Sequence, residues 1–125
     1  MHTYILDDAN KPVPEPNTIK WGIWFETANR SHRVAKDHIG KLLVSTVFLG
    51  LDHGHGSSPP VLWETMVFTD DTCRNDLHQE RYTSYEDAVA GHRRACQRFL
   101  RQSSILVRAL HALRLLWSKL RGERR

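Results

Sequence analysis

Two runs of strand-type residues, LLVSTVFLGLD at 42–52 and VLWETMVFTD at 61–70, stand only a short loop apart, and this pairing constrains the fold more than any other feature. Val, Thr, Leu and Phe favour a pleated, half-buried surface, and so short a connection joins antiparallel neighbours rather than parallel ones. In the first run Val44, Thr46 and Phe48 alternate with Ser45, Val47 and Leu49. Both sets carry apolar members, so the strand is expected to be central and covered in part on each face. In the second run Leu62, Glu64, Met66 and Phe68 oppose Trp63, Thr65 and Val67, with Glu64 interrupting an otherwise apolar face.

The flanking segments supply the rest of the architecture. TYILDD reads as a short first strand, and the three prolines of KPVPEP predict an extended linker after it. Asn17 is a good cap for a helix over TIKWGIWFETANR, which places Ile19, Ile23 and Trp24 on adjoining positions and Ala28 a turn further on. HRVAKD, a turn at HIGK and the first β run form a hairpin with Gly40 in the turn. A polar connection from Asp70 to Gln79 leads to a short strand, ERYTS, and Thr83 or Ser84 then caps a helix, with Glu86 or Asp87 placed for a capping box.

That helix carries Ala88, Val89, Ala95, Phe99 and Leu100 on its apolar positions. QSS at 102–104 reads as a break where Ser103 or Ser104 caps a new helix, the alternative being a polar patch within one continuous helix. Beyond it Leu106, Leu110, Leu113, Trp117 and Leu120 recur at spacings of four and three, the seam of a coiled coil or helical hairpin. Arg101, Arg108 and Lys119 flank one side of the seam, and Arg114 and Arg121 the other. The expected fold is a single α+β domain with a roughly four-stranded antiparallel sheet, one helix after the first strand and one or two basic amphipathic C-terminal helices. Residues 1–102 form the compact body, and 103–125 a leucine-rich helix packed on that body or on a partner.

Charge is divided along the chain. Residues 91–125 hold ten Lys/Arg and one acid, whereas residues 1–90 hold eight Lys/Arg and thirteen acids, so the net +4 conceals a basic C-terminal segment on an acidic body. Such asymmetry points to nucleic acid, an anionic membrane or an acidic protein surface as a partner, or to neutralisation within the fold or between subunits. Cys73 and Cys96 form no CxxC or CxxH pair, which favours a reduced, cytoplasmic setting over a zinc framework or a structural disulfide. The N-terminus lacks the basic start and apolar run of a signal peptide, and Arg108, His111 and Arg114 interrupt the longest apolar stretch, so no transmembrane segment is expected.

Motifs for dedicated chemistry are sparse. Asp52, His53 and His55 in LDHGHGSSPP are candidate loop contacts, but three ligands from one loop seldom close a metal site, and no HExxH-type spacing accompanies them. No GxSxG elbow, P-loop or GxGxxG occurs, and neither a catalytic residue nor a cofactor or metal is assigned. Trp24, Glu26, Trp63, Glu64 and Arg81 are the candidate pocket, where aromatics and acids beside apolar runs would frame a small ligand; the competing reading makes them core residues and a structural ion pair. Arg101, Arg108, Arg114, Lys119 and Arg121 are the candidate contacts to a partner or to a nucleic-acid backbone.

Taken in order, WFETANR, VSTVFLGLDH, PPVLWETMVF and ERYTSYEDAVAGH resemble a group of small proteins encoded by bacteriophages and prophages, over about residues 3 to 92. The longer, basic, leucine-rich ending is a departure from that group. The resemblance implies a phage accessory protein, with no active site to carry over. By analogy of setting and size it implies inhibition of a host defence system, an anti-CRISPR role included, through binding a host protein or nucleoprotein complex. The leucine seam could alternatively make a homodimer. A second class of function is a small enzyme or a nucleotide-sequestering protein built on the acidic and histidine residues near the central strands.

Overall fold

Four strands pair consecutively and antiparallel in the order β3-β4-β5-β6: Arg33–Ile39, Leu42–Phe48, Trp63–Phe68 and Asp76–Tyr82. This computed structural model describes residues 2–27, 32–56 and 58–122; Ala28, named above for its expected place in the first helix, and the last three positions of the expected C-terminal helix lie outside them. A second, two-stranded sheet pairs β1 (Tyr4–Leu6) with β2 (Pro12–Pro14). Between the sheets runs α1 (Thr18–Thr27), and the described chain ends in α2 (Tyr85–Leu120). The architecture is α+β, with the four-stranded antiparallel sheet and the helix after the first strand as expected.

Local chemistry accounts for the element boundaries. Asn17 Oδ1 accepts the backbone N–H groups of Ile19 and Lys20, satisfying two donors that the first turn of α1 leaves open. Ser84 Oγ accepts the N–H of Asp87 at 3.1 Å, with Glu86 and Asp87 complementing the positive end of α2. The β3-β4 hairpin closes at Gly40 and Lys41 between the paired residues Ile39 and Leu42. At the far end of β4, Gly50 has φ +72°, and a Cβ there would run into the Phe25 ring, so glycine alone lets α1 press against this corner.

Three sequence expectations need correction. The proline-rich KPVPEP is no mere linker: Pro12 and Pro14 sit in an edge strand whose ladder closes through other donors, Lys11 O accepting from Asp7 N–H and Thr3 O from Glu15 N–H. β6 starts at Asp76 rather than near Glu80, because its register with β5 already pairs Phe68 with Asp76 and Val67 with His78. The QSS segment is no break; α2 runs unbroken through 102–104, since propagating an established helix costs less than nucleating a second one. The helix therefore passes straight through the 102/103 boundary.

Strand alternation divides the sheet into two faces. Val44, Thr46, Phe48, Trp63, Thr65 and Val67 look toward α2 and are sealed from solvent. Leu43 and Glu64 lie on the opposite face with Ser45, Val47 and Met66 half-buried around them, so β4 is covered in part on both sides. Two apolar clusters fill the helix side. Leu6, Phe48, Leu62, Trp63, Tyr82 and Ala88 form one, against which Trp24 and Phe25 of α1 pack; Val44, Val67, Ala95 and Phe99 form the other. Ala88, Gly91, His92, Ala95 and Phe99, spaced by three and four, are the buried stripe of α2.

Candidate functional site

Between the two apolar clusters a continuous polar chain crosses the core. Tyr82 donates its hydroxyl to Thr65 Oγ1 at 2.9 Å, Thr65 and Thr46 share a hydrogen bond at 2.6 Å, and Thr46 Oγ1 meets His92 Nδ1 at 2.7 Å. His92 Nε2 then meets Asp37 Oδ2 at 2.7 Å. The geometry follows from register: Thr46 pairs with Thr65 across β4-β5, and Asp37 faces Val44 across β3-β4, so all three point to the helix side. Thr46 and Thr65 are fully buried, and each finds a partner within the chain.

The chain surfaces beside a cleft of about 340 Å³ between β3 and α2, where Asp37, His92 and Cys96 converge. One turn separates His92 from Cys96, which puts both on the same helix face. Cys96 offers its thiol to Asp37 Oδ2 at 3.8 Å. Burial, reinforced by the Asp37 charge and hydrogen bond, pushes the thiol's pKa up, so Cys96 stays protonated in the free protein. Burial likewise raises the Tyr82 phenol.

This arrangement does not supply an activated nucleophile. Asp37, His92 and Thr46 are ordered as acid, imidazole and hydroxyl, but Thr46 has no exposed surface for a substrate to reach. His92 directs its outer nitrogen at Asp37, and Cys96 is held in its less reactive form. The donor set, a carboxylate, an imidazole and a thiol within 4.8 Å of one another, is of a kind that could hold a metal ion.

The residues singled out from sequence are distributed as follows. Trp63 is wholly buried and Trp24 packs edge-on to Phe48, with ring centroids 5.9 Å apart, both on the helix side. Glu64 lies on the other face, accepting from Arg81 Nε at 2.8 Å and from Gln79 Nε2 at 2.6 Å. Glu26 is exposed on α1. These five do not line one cavity; the tryptophans serve the core, and Glu64 with Arg81 forms an ion pair on the sheet. In the loop, Asp52 Oδ1 accepts the N–H groups of Gly54 and Val61, which hold its carboxyl below the usual range, so its place is that of a loop organiser. His53 is half-buried and His55 is exposed.

The basic residues occupy a different setting. Past Ser103, α2 buries none of its described side chains, and Ile105, Leu106, Val107, Leu110, Leu113, Leu115, Leu116, Trp117 and Leu120 are 54–73% exposed. The stripe that docks on the sheet through Phe99 thus continues bare for the rest of the helix. Arg101, Arg108, Arg114, Lys119 and Arg121 are exposed around it, with Arg121 over the Trp117 ring at 5.7 Å. Among the described residues no helix is long and apolar enough to cross a membrane.

Sequence reasoning missed Asp37, His92 and Cys96 as a group. The His92–Cys96 spacing was visible on a helical segment, but nothing local connects it to a residue 55 positions upstream. No protein-family model matches this chain, and neither a curated protein nor a solved structure matches it.

Proposed function

We propose that this chain is a phage-encoded, non-enzymatic accessory protein that acts in the cytoplasm of a bacterial host, binding a host protein or nucleoprotein complex through the distal half of α2 and blocking a defence system. The resemblance of residues 3 to 92 to phage-encoded proteins supplies the setting. The observation that carries the binding role is the bare apolar stripe from Leu106 to Leu120 with arginines on both flanks.

Residues 104–120 extend the helix by about 25 Å beyond its last buried turn, at roughly 1.5 Å per residue. Each half-exposed leucine gains roughly 1–2 kcal/mol on full burial. Nine such side chains sum to the order of 10 kcal/mol before the costs of association, enough for a specific complex. Monomeric proteins rarely carry so large a contiguous apolar patch. The flanking cations match an acidic rim around an apolar groove, steering encounter while the leucines and Trp117 supply affinity.

The test is whether expression of the protein lets a restricted phage form plaques on a defended host, and whether that depends on α2. Leu110→Asp with Leu113→Asp, and separately charge reversal at Arg108, Arg114 and Lys119, should abolish plaque recovery and capture of the target from nuclease-treated lysate. Retained plaque recovery in both would remove the helix from the mechanism. Capture lost on nuclease treatment would transfer the role to a nucleic-acid backbone, and a dimer in light scattering would assign the seam to a second copy.

A further inference from the structure

We propose that Asp37, His92 and Cys96 bind a divalent transition-metal ion, zinc by the chemistry of the donors, at the mouth of the cleft between β3 and α2. Oδ2 of Asp37, Nε2 of His92 and Sγ of Cys96 lie within 4.8 Å of one another. Zinc takes carboxylate, imidazole and thiolate together, at about 2.0–2.3 Å, and tetrahedral ligands then stand about 3.3–3.8 Å apart. Asp37 and Cys96 are already 3.8 Å apart. Asp37 and His92, at 2.7 Å, need to separate by less than the width of an atom, and the Asp37 side chain is 60% exposed.

The surroundings suit such an ion. His92 is buried, and its inner nitrogen is held by Thr46, the arrangement that orients a metal-bound imidazole. Its outer nitrogen can present a lone pair when the inner nitrogen carries the proton and donates to Thr46 Oγ1. Thr46 then donates to Thr65, which also accepts from Tyr82. Binding releases the Cys96 thiol proton to solvent, and one thiolate with one carboxylate neutralises the ion, so Arg93 at the cleft wall is not opposed by net positive charge. The cleft leaves the fourth coordination position open to solvent, as in zinc sites with three protein ligands.

The experiment is titration of the purified full chain, stripped with chelator, by Co²⁺ as a spectroscopic substitute for zinc. A thiolate-to-cobalt charge-transfer band with tetrahedral d–d absorption, saturating at one equivalent and displaced by Zn²⁺, is expected. Cys96→Ser should abolish the charge-transfer band, Asp37→Asn should weaken binding, and Thr46→Val should weaken it about 10–100-fold through the imidazole it orients. Cys73→Ser should leave the spectrum unchanged. Absence of the band in the unaltered chain, or its survival in Cys96→Ser, overturns the proposal. Should Cys96→Ser fail to fold, unchanged affinity in Asp37→Asn, altered only at an exposed side chain, overturns it equally.

Discussion

Tyr82 closes directly over Gly91: a Cβ on Gly91 would fall inside the van der Waals envelope of the Tyr82 ring and hydroxyl. Tyr82 is buried at the end of β6 and anchored to Thr65, so it has nowhere to retreat. Alanine would favour an isolated helix by about 1 kcal/mol over glycine. Overpacking costs about 1–3 kcal/mol and opposes it. Gly91→Ala is therefore expected to lower the denaturant midpoint, and in a Tyr82→Ala background the cost of Gly91→Ala should largely disappear. A stabilised Gly91→Ala would show that the helix and strand are not in this contact.

Distal α2 should contribute little to the stability of an isolated chain. Leu106→Gln and Leu113→Gln alter side chains 60% and 61% exposed, and each is expected to change unfolding free energy by no more than about 0.5 kcal/mol. Phe99→Ala, in the docked half, should cost about 3–5 kcal/mol. If the leucine changes instead destabilise in a manner that depends on protein concentration, the seam is covered by a second copy.

Acid should loosen the LDHGHGSSPP loop through Asp52. Its backbone hydrogen bonds from Gly54, then from Val61, lower its pKa below 3.8, so the folded state favours the carboxylate. The stabilisation is full above the unfolded value and is lost as pH falls through the lower folded value. Hydrogen exchange at the Gly54 and Val61 amides should accelerate, relative to intrinsic rates, on acidification in the unaltered protein. Asp52→Asn should lack that pH-dependent component.

Alkylation should separate the two cysteines. Cys73 is exposed, whereas Cys96 is partly covered and its thiol is held protonated by burial and by Asp37. Mass spectrometry after limited treatment with iodoacetamide near neutral pH should find Cys73 modified first. Asp37→Asn should speed modification of Cys96, because the carboxylate that disfavours its thiolate is gone. Equal rates at both cysteines would contradict the environment assigned to Cys96.

Breaking the Glu64 ion pair should cost stability. Glu64 is 8% exposed, so Arg81→Met leaves a largely buried carboxylate that keeps its hydrogen bond from Gln79 but loses its counter-charge. A loss of about 1–3 kcal/mol is expected in chemical denaturation. The double change Glu64→Met with Arg81→Met should recover part of it, since neither charge then remains.

What the sequence by itself determined is what acts over a few residues: the caps at Asn17 and Ser84, the turn at Gly40, the alternation that makes β4 and β5 neighbours, and the four-and-three spacing of the distal leucines. Each is a backbone preference or a local hydrogen bond, legible without knowing what lies across the sheet. Only the tertiary structure decided that the proline run pairs with β1, that α2 covers the Trp63 face while Glu64 pairs with Arg81 on the other, and that α2 keeps one axis through QSS. It alone brought Asp37 to His92 and Cys96 and threaded Thr46, Thr65 and Tyr82 behind them, because those contacts join four strands to one helix across long stretches of chain. Local patterning specifies elements; which polar side chains meet inside them depends on strand register and helix docking, set by the packing of the whole core.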